Sequence, residues 1–112
     1  MNERDRLYLV HILEAIAAAR EFASGGRTYF LADRKTQSAV VRQLEIVGEA
    51  VKQLSAELKT SAPDVPWRQI AGTRDRLIHA YFQVDLDAVW VMVETDLPVL
   101  ETRVQQLLDV AS

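Results

Sequence analysis

Two stretches of this chain carry apolar side chains at alternating steps of four and three. One runs Val40, Leu44, Val47, Val51, Leu54, Leu58 and the other Leu86, Trp90, Val93, Leu97, Leu100, Val104, Leu107. That period keeps a single stripe of a helix facing one way over many turns, so each stretch must lie lengthwise against other helices. A third pattern, Leu9, Ile12, Leu13, Ile16 and Ala19, predicts a first helix over about Glu3 to Ala23, stopped by Ser24-Gly25-Gly26. The second helix is expected from an N-cap at Asp33 to about Lys59. Gly48 inside it costs about 1 kcal/mol relative to alanine, which a close helix approach would offset. Ser61 to Pro66 reads as a loop, with Pro66 suited to the first turn of a short helix through Ile70. Gly72-Thr73 is then a joint, and a helix resumes through about Tyr81. Asp85 should cap the last helix and Pro98 should bend it. No run combines period-two alternation with hairpin turn residues. The expected fold is an all-α bundle of four main helices plus a short one, a single domain over 1–112.

Composition narrows the chemistry. The absence of cysteine removes disulfides, thiolate metal sites and cysteine nucleophiles. The charged opening Met1-Asn2-Glu3-Arg4-Asp5-Arg6 is unlike a secretory signal, and nothing approaches the ~20 consecutive apolar residues of a membrane span. A cytoplasmic protein without membrane contact is expected. A net charge of −3 argues against a tight nonspecific nucleic-acid binder, while leaving room for an enzyme that meets RNA through a local basic patch.

That patch is Trp67 to Phe82, which holds Arg68, Arg74, Arg76, Asp75, His79 and Tyr81 among Leu77, Ile78 and Phe82. Metal-free RNA cleavage needs a base for the ribose 2′-hydroxyl, a cation for the phosphate oxygens and an acid for the departing 5′-oxygen. Histidine suits the proton transfers and arginine the phosphate. Asp75 and His79, four apart, share a helix face, so Asp75 can hold one imidazole tautomer and favour its protonated form. Arg76 is also a near neighbour of His79. Arg74 sits about 140° around an ideal helix from His79 and needs its length, the joint at Gly72-Thr73 or a partner chain to share the same cleft.

Arg74-Asp75-x-x-x-His79-x-Tyr81 resembles the Arg-x4-His-x-Tyr motif of HepT-like proteins in the HEPN superfamily. Arg42 to Val51 is similar to that family's second-helix segment, Val65 to Gly72 to the lead-in of its motif, and Val84 to Trp90 to the opening of its last helix. The resemblance implies a HEPN-like helical bundle forming a symmetric homodimer and acting as a metal-independent endoribonuclease toxin with no cofactor. It implies Arg74 and His79 as the catalytic pair, Asp75 and Arg76 as supporting residues, and Tyr81 as the site where an MntA-like nucleotidyltransferase antitoxin adds AMP from ATP. The rival expectation is a catalytically inactive HEPN module that binds and regulates a nucleotidyltransferase. The other conspicuous residues have plainer readings: Trp67 and Trp90 as core anchors, His11 as a surface or interface histidine. Glu45 and Glu49 lack the Glu-x-x-His partner of a helical two-metal site and read as structural polar contacts.

Overall fold

Several of the helices open on a side-chain cap, which satisfies one of the amides that a helix leaves unpaired at its start. In a computed structural model, which describes residues 1–79 and 85–111 except for the side chains of Arg74, Ile78 and His79, Asn2 accepts the Asp5 amide at 2.7 Å and begins α1 (Glu3–Phe22). Gly26, at φ +94°, leads into a short α2 (Arg27–Ala32). Asp33 caps α3 (Arg34–Gln53) by accepting from the Thr36 amide and hydroxyl. Those hydrogen bonds, the hydroxyl's first, hold the Asp33 carboxyl below its ordinary range. Ser55 caps α4 (Ala56–Ser61), and α5 spans Trp67–His79. Asp85 accepts the Ala88 amide at the start of α6 (Leu86–Val91), which continues through a π-helical stretch, Met92–Asp96, into α7 (Leu97–Val110). The described residues are all helix, turn or irregular, and none is strand.

The seams pack as their spacing requires. Val40, Leu44, Val47 and Val51 of α3 are almost fully buried, as are Leu9, Ile12, Ile16 and Ala19 of α1. α3 lies against both α1 and α5, and α7 returns along α1. The core continues through Leu97, Leu100 and Val104, then takes Leu108 and leaves Leu107 half-buried at its edge. A straight helix at 3.6 residues per turn drifts off a 3.5-residue seam, and the exchange of these two leucines is that drift. Trp67 and Trp90 are the expected anchors: the Trp67 indole donates to the Ala62 carbonyl at 3.0 Å, and the Trp90 ring lies 5.5 Å from that of Phe30.

Four local features differ from the expectation. The helix predicted to reach Lys59 ends at Gln53, because Asp5, only 3% exposed, accepts the Ser55 amide at 2.8 Å and the Ser55 hydroxyl at 2.6 Å. Leu54 turns to extended backbone there, yet Leu54 and Leu58 stay buried, so the seam survives the break. Arg27–Ala32 forms a helix that six residues are too few to announce by periodicity, and its Phe30 is wholly buried. Gly72-Thr73 is not a joint. The predicted short helix and its successor are one continuous α5, within which the Thr73 hydroxyl donates back to the Gln69 carbonyl. Finally, the last helix meets Pro98 with a π turn, where the Leu97 amide reaches the Met92 carbonyl. The wider turn makes room for a proline ring that would crowd an α-helical neighbour and lacks the amide for the next bond.

Among the described residues no helix is long and apolar enough to cross a membrane. A Cβ added at Gly72 would meet nothing within 4 Å, so Gly72→Ala should raise stability by about 0.5–1 kcal/mol in urea denaturation. A destabilised variant would mean that α5 needs the glycine as a flexible point. Asp5→Ala, which strips both Ser55 donors of their acceptor, should lower stability by about 2 kcal/mol in the same measurement.

Candidate active site

Arg74, Asp75 and His79 of the motif lie on α5, whose unbroken path to His79 sets their register. Asp75 and His79, one helical repeat apart, share a face. Arg74 is placed about 140° around the helix from His79, and with no joint at Gly72 the backbone does nothing to reduce that angle. The side chains of Arg74 and His79, and all of Tyr81, lie outside the described residues.

The two residues expected to support the pair are parted. Asp75 turns to α3, where its Oδ1 accepts from the Lys52 ammonium at 2.6 Å in a pair whose side chains are 34% (Lys52) and 45% (Asp75) exposed. Arg76 instead donates to the Thr73 hydroxyl at 3.1 Å and lines a separate cleft. Sequence reading did not find Lys52. It precedes Asp75 by 23 residues, outside the motif, and only the packing of α3 on α5 unites them.

The cleft beside Arg76 has a volume of about 980 Å³. Leu44 and Val47 of α3, Ile70 of α5, Met92 from the π turn and Leu97 of α7 make its apolar floor. Thr73, Arg76 and the Asp64–Arg103 pair edge it. Arg103 reaches Asp64 through two nitrogens, at 2.8 and 3.2 Å, the fork geometry that suits guanidinium to carboxylate. Its hydrogen bond holds the Asp64 carboxyl below the ordinary range, against a smaller opposing effect of desolvation, and the same bond raises the Arg103 pKa.

The remaining candidates resolve simply. Arg68 is exposed on α5. Glu45 is paired with Arg42 at 3.3 Å on the surface of α3. His11 is exposed and its ring lies 5.7 Å from that of Tyr8 in an edge-on arrangement, with the Arg4 guanidinium also over the Tyr8 ring. Among the described residues no group of three or more His, Cys, Asp or Glu is placed to hold a metal ion.

The described residues form a helical bundle in which Arg74 and His79 stand five residues apart on one helix, the spacing of the HEPN motif that the sequence resembles. Residues 12–107 match the family described as Ribonuclease HepT-like, and the chain belongs to it. It is 44% identical over 108 residues to the "Probable ribonuclease HepT" of Thermococcus cleftensis, covering 96% of this chain and 98% of that one. It is 41% identical over 104 residues to a protein named as a candidate RNase in Caldanaerobacter subterraneus subsp. tengcongensis, covering 92% and 93% of the two chains. A third relative, named likewise in Methanocaldococcus jannaschii, is 41% identical over 101 residues, 88% of this chain and 83% of its own. No solved structure matches the chain.

The Asp64–Arg103 pair has a definite pH signature. A carboxyl depressed in the folded state stabilises it above the unfolded-state value of roughly 3.9, and that contribution disappears as pH falls through the folded-state value. The difference in urea midpoint between the parent and Asp64→Asn should be constant from neutral pH to about 5 and shrink to nothing in stronger acid. A difference that persisted at pH 2 would exclude the ion pair as its source.

Proposed function

We propose that this chain is a metal-independent endoribonuclease toxin of a HepT/MntA-like toxin–antitoxin pair, with Arg74 and His79 as its catalytic residues. The observation that carries the reading is the position of Asp75. On an unbroken α5 it shares the face of His79, where a carboxylate can orient an imidazole, in a chain whose family and relatives bear ribonuclease names. His79 removes the proton of the ribose 2′-hydroxyl, whose oxygen attacks the adjacent phosphorus. The bond to the 5′-oxygen breaks, and that oxygen takes a proton from an imidazolium, leaving a 2′,3′-cyclic phosphate and a 5′-hydroxyl. Arg74 binds the phosphate oxygens as negative charge grows on them. A symmetric homodimer supplies the second imidazole by bringing two motifs to one groove.

Silencing follows from Tyr81. The partner nucleotidyltransferase joins the Tyr81 oxygen to the α-phosphorus of ATP, releasing pyrophosphate. The AMP group, two residues from His79, then fills the space that RNA needs and repels its phosphates.

His79→Ala and Arg74→Ala should each lower RNA cleavage by about a thousandfold or more and relieve toxicity, since each removes an interaction made to the transition state. Intact mass after co-expression with the nucleotidyltransferase should show additions of AMP that vanish in Tyr81→Phe. Undiminished toxicity in His79→Ala would favour the inactive interaction module, and AMP retained in Tyr81→Phe would place the modification elsewhere.

A further inference from the structure

The cleft beside Arg76 has no part in the ribonuclease chemistry proposed above, yet one of its walls is the helix that carries the motif. α5 stands on one side and the widened Met92–Asp96 turn with the start of α7 on the other, over a floor from α3. Its volume of about 980 Å³ falls within the roughly 300–1,000 Å³ of clefts that hold small organic molecules. Ile70 and Met92 are only partly buried and Val99 is 70% exposed, so apolar surface stays open to an occupant there. Met92 adds a polarisable thioether, a good partner for an aromatic ring. The charges around this surface give an occupant its direction. Arg103 is taken up by Asp64, whereas Arg76 donates to the Thr73 hydroxyl and pairs with no carboxylate among the described residues. Asp96, on the turn across from α5, repels a phosphate and can accept from amino groups. An anion therefore belongs at the α5 edge and a flat, amino-bearing ring over the floor. Arg76 precedes His79 by three residues, about 60° around α5 and roughly 4.5 Å along it, so a phosphate held there adjoins one held at the motif.

We propose that this cleft is a nucleotide subsite of the ribonuclease, holding the base of an RNA residue next to the cleaved bond, with Arg76 on that residue's phosphate. The inference rests on the ribonuclease reading above and adds to it a place for the substrate that the motif does not provide.

The test is fluorescence anisotropy with a short 2′-O-methyl oligoribonucleotide, which binds but has no 2′-hydroxyl to react, together with cleavage of the unmodified RNA. Guanosine 5′-monophosphate and ribose 5-phosphate serve as unlabelled competitors. The nucleotide should compete about tenfold better than the sugar phosphate, the difference that holding one base makes. Thr95→Trp and Gln69→Trp, at exposed lining positions on opposite walls, should fill the cleft, bring the two competitors within about twofold of each other and raise KM for RNA. Arg76→Gln should weaken both competitors and reduce the slope of log Kd against log salt for the oligonucleotide by about one, with Arg76→Lys recovering most of the loss. Equal competition in the parent, or a tenfold preference that survives both tryptophan variants, overturns the proposal. Tryptophan variants that change the sedimentation mass of the protein while keeping the base preference also overturn it, and give the cleft to a second copy of the chain. If the parent shows base-dependent binding but cuts no RNA, the ribonuclease reading fails while the nucleotide site stands; cleavage without base dependence does the reverse. If the parent neither binds nor cuts, both fail.

Discussion

The burial of one face of α3 against α1 and α5 is the contact from which the rest of this molecule follows. Val40, Leu44, Val47 and Val51 leave water almost completely, each worth about 1.5–3 kcal/mol against remaining exposed. Because α3 touches both neighbours, its placement also sets where the motif helix sits. The same helix delivers Lys52 to Asp75 on one side of α5, and Leu44 and Val47 to the floor of the cleft that Arg76 lines. A shift of α3 by one turn would move all of these together. Substitutions at Val40 and Val51 of its seam, which do not line the cleft, therefore belong among those that alter the site without touching it.

What could be read from the sequence was whatever repeats or stands close together. Two long seams announced their helices because every turn restates the pattern, and Asn2 apart, the caps Asp33 and Asp85 lay where the patterns began. The interruption at Ser55 was hidden, since its cause is Asp5, 50 residues earlier. Nothing local distinguishes Ser55 from an ordinary helical serine. α2 escaped for lack of length, although Phe30 at its centre is one of the largest wholly buried side chains. Gly72 misled in the other direction. A glycine next to a threonine looks like a break, but Trp67 and Leu77 are buried on either side of it and keep the helix continuous. The site divides along the same line: Arg74, Asp75 and His79 are legible as a spacing, whereas Lys52 and the Asp64–Arg103 pair exist only once the helices are packed.

The π turn illustrates how a local defect becomes a structural feature. Pro98 cannot donate to the carbonyl a turn behind it, and the chain answers by widening Met92–Asp96 rather than by ending the helix. The buried series Val89, Val93, Leu97, Leu100 and Val104 runs through that widening without interruption. Met92, Thr95 and Asp96, carried by the widened turn, become a wall of the cleft facing α5. A straight α-helix would present a different set of side chains there, so the proline, itself a lining residue, also shapes the cleft through the turn before it.

Continuity of α5 bears most directly on how the motif can work. A joint at Gly72 would have let one chain swing Arg74 toward the face of His79, and the joint is absent. With about 140° between them, the two residues start from different sides of the same cylinder, whereas Asp75 and His79 start from the same side. One copy of the helix is therefore well built to orient an imidazole and poorly built to bring guanidinium and imidazole to one phosphate by backbone geometry alone. Two copies across a twofold axis would ease the difficulty, because in an isologous contact a residue of one copy can meet a different residue of the other, so the guanidinium need only reach the imidazole of the second copy. On this reasoning the proposed homodimer would be more than an assembly state: it would be the means by which a five-residue spacing on a straight helix becomes the proposed catalytic pair.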